Sequence, residues 1–470
     1  MAMVEQELSA LLGAGQVTRD PVSLLAYGRD AYPVAIRESL RGDARFEPSV
    51  VAWPRSTQEV VGILAIAGRH RLPVVPYGAG SGIVGGALGG AHRMTLDLKR
   101  LARFVELDPV SMTATVEAGM LGKDLEDRLN SDGFTCGHYP QSLFSSTVGG
   151  WVAHRGVGTF STRYGKIDDM VLGLQVVLPD GVVADFKAEP QSAAGPDLKR
   201  LFLGSEGTFG VITQVTLQVY PLPESRRLLG FGCRTFDVAL DAVRRIVQAG
   251  YRPAAVRIYD AEEARIQLGT DPTSADALLI AIIEGPESLV EATTGAFAGT
   301  AASLGLTDLG DRYASSWLES RFTTAGLVTT NESLLGIADA LEVANGWSRL
   351  GETYARMKAA MELAVGDNGR VFGHASHFYH SGANLYMIFH ARAETPDQVE
   401  TRYRAVLDAA FDACLATGGT LTHHHGVGLG KRRYMERELG VGGHALLSRI
   451  RQAIDPNGLM NPGKLTGGDG

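Results

Sequence analysis

The run PYGAGSGIVGGA at 76–87 constrains this chain more than any other stretch. Five of its twelve residues are glycine, so it continues neither a helix nor a strand well. It follows LPVV, which has the length and composition of a buried strand. Three readings of the loop stand. A dinucleotide turn of the G-x-G-x-x-G type matches at Gly78 and Gly80 but meets Ile83 at the third glycine position, and GGALGG starts a helix poorly. In that reading Asp97, 19 residues past Gly78, stands where a ribose-binding acid would be. An anion-binding nest would let bare N–H groups wrap a pyrophosphate directly, where any Cβ would hold the phosphate away. A merely flexible loop is the third.

The elements around the loop divide the 470 residues into two large parts. Residues 1–47 form a helical segment that opens MAMVEQELSALLG. PSVVAWP is a strand ending at proline. STQEVVGILAIAGRHRL follows as a helix, with serine and threonine as caps and a glutamate in the first turn. MTLDLKRL and TATVEAGM read as strands, 121–131 as a helix, and 171–187 as a hairpin about Asp180-Gly181. VITQVTLQVY alternates as a strand. After PLPE at 221–224 the character changes. Helix FDVALDAVRRIVQAG, strand ALLIAIIEG and helix SLVEATTGAFAGTAASLG begin an α+β unit with an antiparallel sheet. The expected division is 1–47, 48–222, 223–430 and 431–470, with a site between the two large parts.

Composition narrows the partners. Net charge is −8 and no lysine or arginine block occurs, so nothing attracts nucleic acid. The three cysteines, Cys136, Cys233 and Cys414, are too far apart for a disulfide framework or a cysteine-based zinc site. The longest apolar runs fall short of a membrane span and no cleavable signal pattern opens the chain. A cytoplasmic location is expected.

Several stretches from 48 to 222, taken in order, resemble the FAD-binding domain of the vanillyl-alcohol oxidase/p-cresol methylhydroxylase superfamily. They are VVPYGAGSGIVGG, LDLKRL, TVEAG, YPQSLFSSTVGGWVAHRGVGTFSTRYGKIDDMV and LFLGSEGTFGVITQVTLQV. The resemblance implies an α+β fold, with a two-subdomain FAD-binding domain and an α+β cap carrying an antiparallel sheet. It implies FAD contacts from Pro76, Gly78, Ala79, Gly80, Ser81, Gly82 and Gly85. Further contacts are implied at Pro140, Ser142, Thr147, Gly149, Gly150, Glu206, Gly210, Ile212 and Asn461, with Lys464 beside the last. The glycine loop holds no histidine or other attachment residue, so noncovalent FAD is expected.

A second signal is THHHGVGLGK at 422–431. The turn resembles one in the D-2-hydroxyacid dehydrogenase branch of the superfamily. There a glutamate and two histidines of an H-x-G-D-G-N-x-H hairpin hold a divalent metal. Here both hairpin positions are tyrosines, Tyr379 and Tyr386, and the acid position is His424. His377 and His380 are the remaining candidate ligands, and no metal is expected. If the two tyrosines face each other across a short turn, both hydroxyls lie on one sheet face.

SHFYHSGANLYMIF, GGTLTHHHGVG, STVGGW and LEVANGWSRL, the last placing Trp347, resemble alkyldihydroxyacetonephosphate synthases instead. That resemblance implies proton and phosphate handling by Tyr386, His423, His424 and His425, beside Tyr379, Arg321 and His374. Histidine titrates near neutrality and suits proton transfer from a carbon next to a ketone, and cationic histidines or an arginine suit a phosphate. The implied reaction exchanges acyl for alkyl on a ketone phosphate through a flavin N5 adduct, with no net redox change. The rival reading is an FAD-linked dehydrogenase or oxidase of a 2-hydroxy acid or related alcohol, and LGKRRYM after the turn is closer to that branch. A third is a flavin-binding subunit of an electron-transfer complex without turnover of its own. A small-molecule substrate, a lipid-like ketone phosphate in the leading reading, is expected, together with peripheral membrane contact and a homodimer.

Overall fold

The computed structural model describes residues 1–268, 276–323 and 333–466. The N-terminal half carries two sheets. The first is four-stranded, in the order Val17–Thr18, Val50–Ala52, Met94–Asp97, Val74–Tyr77, and its last three strands run parallel. Helix Thr57–Arg69 crosses between two of them, and Ser56 caps it by accepting from Glu59 N at 3.2 Å. The second sheet is five-stranded and antiparallel: Phe104–Asp108, Thr113–Glu117, Val211–Gln218, Val171–Val177, Val183–Phe186.

The C-terminal half is one antiparallel sheet of seven strands. Their order is Thr307–Gly310, Ser225–Cys233, Ala277–Gly285, Ala255–Asp260, Arg370–Phe378, Gly382–Arg392, Gly336–Gly346. Strand ALLIAIIEG shows why its sequence is apolar throughout. Leu279, Ala281 and Ile283 pack with the covering helices, among them Phe236–Gln248 and Trp347–Val365. Leu278, Ile280 and Ile282 point the other way and join a core built from the five-stranded sheet. A strand buried on both faces has no polar side to show. Each leucine or isoleucine among them contributes about 1.5–3 kcal/mol of burial, and Leu278, Ile280 and Ile282 tie the cap sheet to the N-terminal half.

Both ends of the chain reinforce that tie. From helix Pro33–Leu40, Arg37 donates to the carbonyls of Ser333, Leu334 and Gly336 at 2.7–2.9 Å. At the other end the chain passes through helix Met435–Ile454 and returns to the first sheet, where Val74 N donates to Leu459 O and Asn461 N to Val74 O, both at 2.8 Å. No described helix is long and apolar enough to cross a membrane.

Candidate active site

A cavity of about 970 Å³ runs between the two halves. Pockets that take small molecules and cofactors hold roughly 300–1,000 Å³, so this one suits a large ligand. One end is the glycine loop, with Pro76, Gly78, Ala79, Gly80, Ser81 and Gly82 on the wall. Pro140, Ser142, Thr147, Gly149 and Gly150 follow, then Glu206, Gly210 and Ile212. The N–H groups of residues 78–82 donate to no other described residue. A Cβ at Gly82 would enter open space, whereas one at Gly80, where φ is +69°, would lie 2.0 Å from the Tyr77 hydroxyl. Free donors beside the open space at Gly82 fit the phosphates of an extended dinucleotide. FAD fits, and these residues would hold it.

Two expected contacts lie behind the wall. Among described residues Gly85 does not reach the cavity, and Asn461 is fully buried, donating to Gly86 O at 2.9 Å and Glu206 O at 2.6 Å. Lys464 is likewise buried and donates to Leu88 O. These residues brace the loop. Glu206 does line the cavity, but its carboxylate accepts from Val427 N at 2.5 Å and Gly428 N at 2.9 Å. It thereby fixes the histidine turn against the FAD-binding half.

The other end of the cavity is written across the cap sheet. Pairing sets Tyr259 opposite His374, His374 opposite Tyr386, and Tyr386 opposite Glu342. Partners in register share a face, so four strands present one rung of functional side chains. His374 stacks on Tyr386 at 4.9 Å and 16°. Its Nδ1 lies 2.7 Å from Glu263 and its Nε2 2.5 Å from an Arg257 nitrogen. A neutral ring satisfies both, with Nδ1–H toward the carboxylate and Nε2 accepting from arginine.

Glu342 organises the triple histidine. Its side chain is fully buried, and Oε1 accepts from Thr422 Oγ1 at 2.7 Å, His425 N at 2.8 Å and His424 N at 3.3 Å. Oε2 takes the Lys431 ammonium at 2.6 Å. Burial alone would raise this carboxyl, but His425 and Lys431 override it and hold it well below the usual carboxylate range. Nδ1 of His425 lies 3.1 Å from Glu342 Oε2, off the line of a good hydrogen bond, and its Nε2 lies 3.3 Å from the Tyr386 hydroxyl. The result is a Glu342–His425–Tyr386 chain that ends on the cavity.

The expected geometry of the two tyrosines needs correction. The hairpin pairs Phe378 with Ala383, and a bulge at His377 breaks the register. Tyr379 and Tyr386 therefore do not face each other. Tyr379 hydrogen-bonds His423 at 2.8 Å while Tyr386 meets His425. Of the described residues, the cavity wall includes Tyr386, His424, His425, Arg321 and His374, but neither Tyr379 nor His423. Trp347 stacks on Phe378 and donates to the carbonyls of Tyr379 and His380 from outside the cavity, and His380 is exposed. The cationic state expected of the histidines is corrected for His423 and His424. Burial, aided by Lys166, lowers His423 to about 3, and burial with His425 and His423 holds His424 well below its usual value. Both are neutral at pH 7. Burial and Glu342 push the Tyr386 phenol up, so it stays protonated. Among the described residues no group of three or more His, Cys, Asp or Glu is placed to hold a metal ion.

Positive charge comes from arginines instead. Arg257 and Arg321 both line the cavity, and the Nε of each is buried without a partner among the described residues. Arg321 donates from one guanidinium nitrogen to Leu318 O and packs over the Phe322 ring at 4.3 Å. Arg257 sits 5.4 Å from the Trp317 ring. Two guanidinium groups on one cavity wall favour an anion. The wall also carries large apolar side chains, Ile36, Phe372, Ile388, Phe144, Trp317 and Phe322, among its polar ones. Sequence reasoning missed Arg257, Glu263, Glu342 and Lys431. For Arg257 and Glu342 the signal was an ionisable residue inside a largely apolar strand, in AVRIYD and IADALEVA; Glu263, on the helix Ala261–Leu268, and Lys431, in the turn after the histidines, carried no such signal.

Comparison with known proteins agrees with this architecture. A family model described as an FAD binding domain matches residues 48–187, and one described as the C-terminal domain of FAD-linked oxidases matches 222–465. The chain is 29% identical to an alkyldihydroxyacetonephosphate synthase of Trypanosoma brucei brucei, over 98% of this chain and 80% of that protein. It is 30% identical to the uncharacterized FAD-linked oxidoreductase YgcU of Escherichia coli O157:H7, over 89% of each. A solved alkyldihydroxyacetonephosphate synthase structure superposes with a TM-score of 0.84 at 24% identity, covering 99% of this chain and 86% of that one.

Proposed function

Because the chain belongs to the FAD-linked oxidases and is an FAD-dependent enzyme, we propose that it takes a proton from a carbon next to the carbonyl of an anionic, apolar-tailed small molecule. The model for that chemistry is the alkyldihydroxyacetonephosphate synthases, to which the chain is similar, with an acyl-ketone phosphate as substrate. The observation that carries the reading is the Glu342–His425–Tyr386 chain opening on the cavity. FAD, when bound, supplies an electron-accepting ring.

Within this reading the residues have separate tasks. Arg257 and Arg321 hold the phosphate with the guanidinium groups they bring to the cavity wall. The apolar side chains of the wall take the tail and exclude water. Tyr386 Oη gives its proton to Nε2 of His425 as it takes one from the substrate, and the ionised Glu342 stabilises the imidazolium that forms. Lys431 keeps Glu342 ionised despite its burial. FAD is held without a covalent bond in this reading, so acid precipitation should leave the flavin in the supernatant.

The second reading is net oxidation of a 2-hydroxy acid or related alcohol, supported by the likeness to an FAD-linked oxidoreductase. The visible flavin spectrum separates the two. Under anaerobic conditions, bleaching by acyl-dihydroxyacetone phosphate that a fatty alcohol reverses without an oxidant supports the first. Lasting bleaching by a D-2-hydroxy acid, reversed only by an oxidant, overturns it.

A further inference from the structure

The triple histidine carries a second chain that the reaction above does not use. His424 lines the cavity, and its Nδ1 lies 2.9 Å from Nδ1 of His423. Nε2 of His423 lies 2.8 Å from the hydroxyl of Tyr379, which is partly exposed at the outer end of the cap hairpin. We propose that Tyr379, His423 and His424 form a proton relay between the closed cavity and solvent. This rests on the reading that a proton is exchanged in the cavity.

The chemistry balances. A proton taken up at Nε2 of His424 releases its Nδ1 proton to Nδ1 of His423. His423 passes its Nε2 proton to Tyr379 Oη, and the phenol's own proton leaves to solvent. No group changes charge; both rings end in the other tautomer. The short contact between two Nδ1 atoms requires one of them to be protonated and the other not, which is the pairing the relay needs. Neutral imidazoles are the competent state, and burial keeps both neutral.

The surroundings hold the rings in line. His377 sits at the hairpin bulge with φ +53°, a left-handed conformation unfavourable for a side chain with a Cβ. That backbone turns its ring to stack on His423 at 5.6 Å and to meet His424 edge-on at 5.3 Å. Ser161 Oγ fixes it at 2.7 Å from Nδ1. Lys166 Nζ donates to His423 O at 2.7 Å and lies 3.7 Å from Asp168, so a cation stands beside the relay and opposes trapping of a proton on His423.

Tyr379→Phe tests the relay in the FAD-loaded protein by two readouts. In ¹⁵N-histidine NMR, which needs no substrate, loss of the hydroxyl should move the ring resonances of His424 as well as those of His423. In anaerobic flavin bleaching by acyl-dihydroxyacetone phosphate in dilute buffer, the variant should slow by about tenfold or more, less than the 10²–10⁴ of a direct acid or base. Added imidazole should restore the variant and leave the parent unchanged. Unmoved His424 resonances overturn the relay, as does a slow variant that imidazole does not restore. If no substrate bleaches the parent protein, the proposed reaction fails while the NMR readout still decides the relay.

Discussion

Replacing Glu342 by glutamine sets the two roles of this residue against each other. Its carboxylate is fully buried and takes the Lys431 ammonium at 2.6 Å on Oε2. Glutamine keeps an oxygen for Thr422 and the backbone of the histidine turn, but turns an NH₂ donor toward a buried cation that has lost its counter-charge. Breaking a buried pair in this way costs about 3–5 kcal/mol. At about 2 °C per kcal/mol for larger domains, the melting temperature should fall by about 6–10 °C. The double variant Glu342→Gln, Lys431→Met removes both charges, a change that is commonly near neutral. Its melting temperature should return to within about 2 °C of the parent. Activity should not return, because His425 has lost the anion that steadies its imidazolium. Anaerobic bleaching by acyl-dihydroxyacetone phosphate should be down by about 10²–10⁴-fold in both variants. A double variant that bleaches at the parental rate would show that Glu342 is only a structural counter-ion and would refute the Glu342–His425–Tyr386 reasoning.

Gly80→Ala places a Cβ 2.0 Å from the Tyr77 hydroxyl at a φ of +69°, and fluorescence titration should show FAD affinity reduced by about tenfold or more. Arg257→Met removes one of the two guanidinium groups on the cavity wall; substrate titrations should show anionic ligands weakened by about tenfold or more while FAD binding is unchanged. His138 is fully buried beside Trp151, neither nitrogen has a partner among the described residues, and burial lowers it to about 3. A base depressed on folding contributes stability that is present above its unfolded value near 6.5 and lost as pH falls toward 3. His138→Phe should therefore flatten the fall in unfolding free energy below pH 6.5, read by denaturant melts at each pH, by up to about 1.4 kcal/mol per pH unit, and equal slopes for the two proteins would contradict this.

The cofactor half was legible because its signals are local. The glycine loop, the Ser56 cap and the alternation of VITQVTLQVY each report on neighbours a few residues away, and the structure places them as strand, cap and loop. The cap's chemistry was legible only in part. Three histidines in a row announce themselves, but their partners Glu342, Lys166 and His377 come from other elements, 46 to 257 positions distant in the chain. The bulge at His377 is a single left-handed residue with no glycine or asparagine to flag it, and it decides which tyrosine meets which histidine. Periodicity carries no information about such a break, because the residues on either side alternate as an ordinary strand would.

The return of the C-terminal segment to the first sheet has a consequence for biosynthesis. Asn461 braces the carbonyls of Gly86 and Glu206, and residues 459–461 pair with Val74 at the foot of the glycine loop. The loop and its brace are roughly 380 positions apart, so at about 5–20 residues per second they are made roughly 20–75 s apart. The entire cap sheet is translated in that interval. The glycine loop is thus made well before the residues that brace it, and firm flavin binding is expected only once they arrive. Flavin uptake during translation would then report completion of the whole two-part protein, and a chain interrupted within the cap would be left without its cofactor.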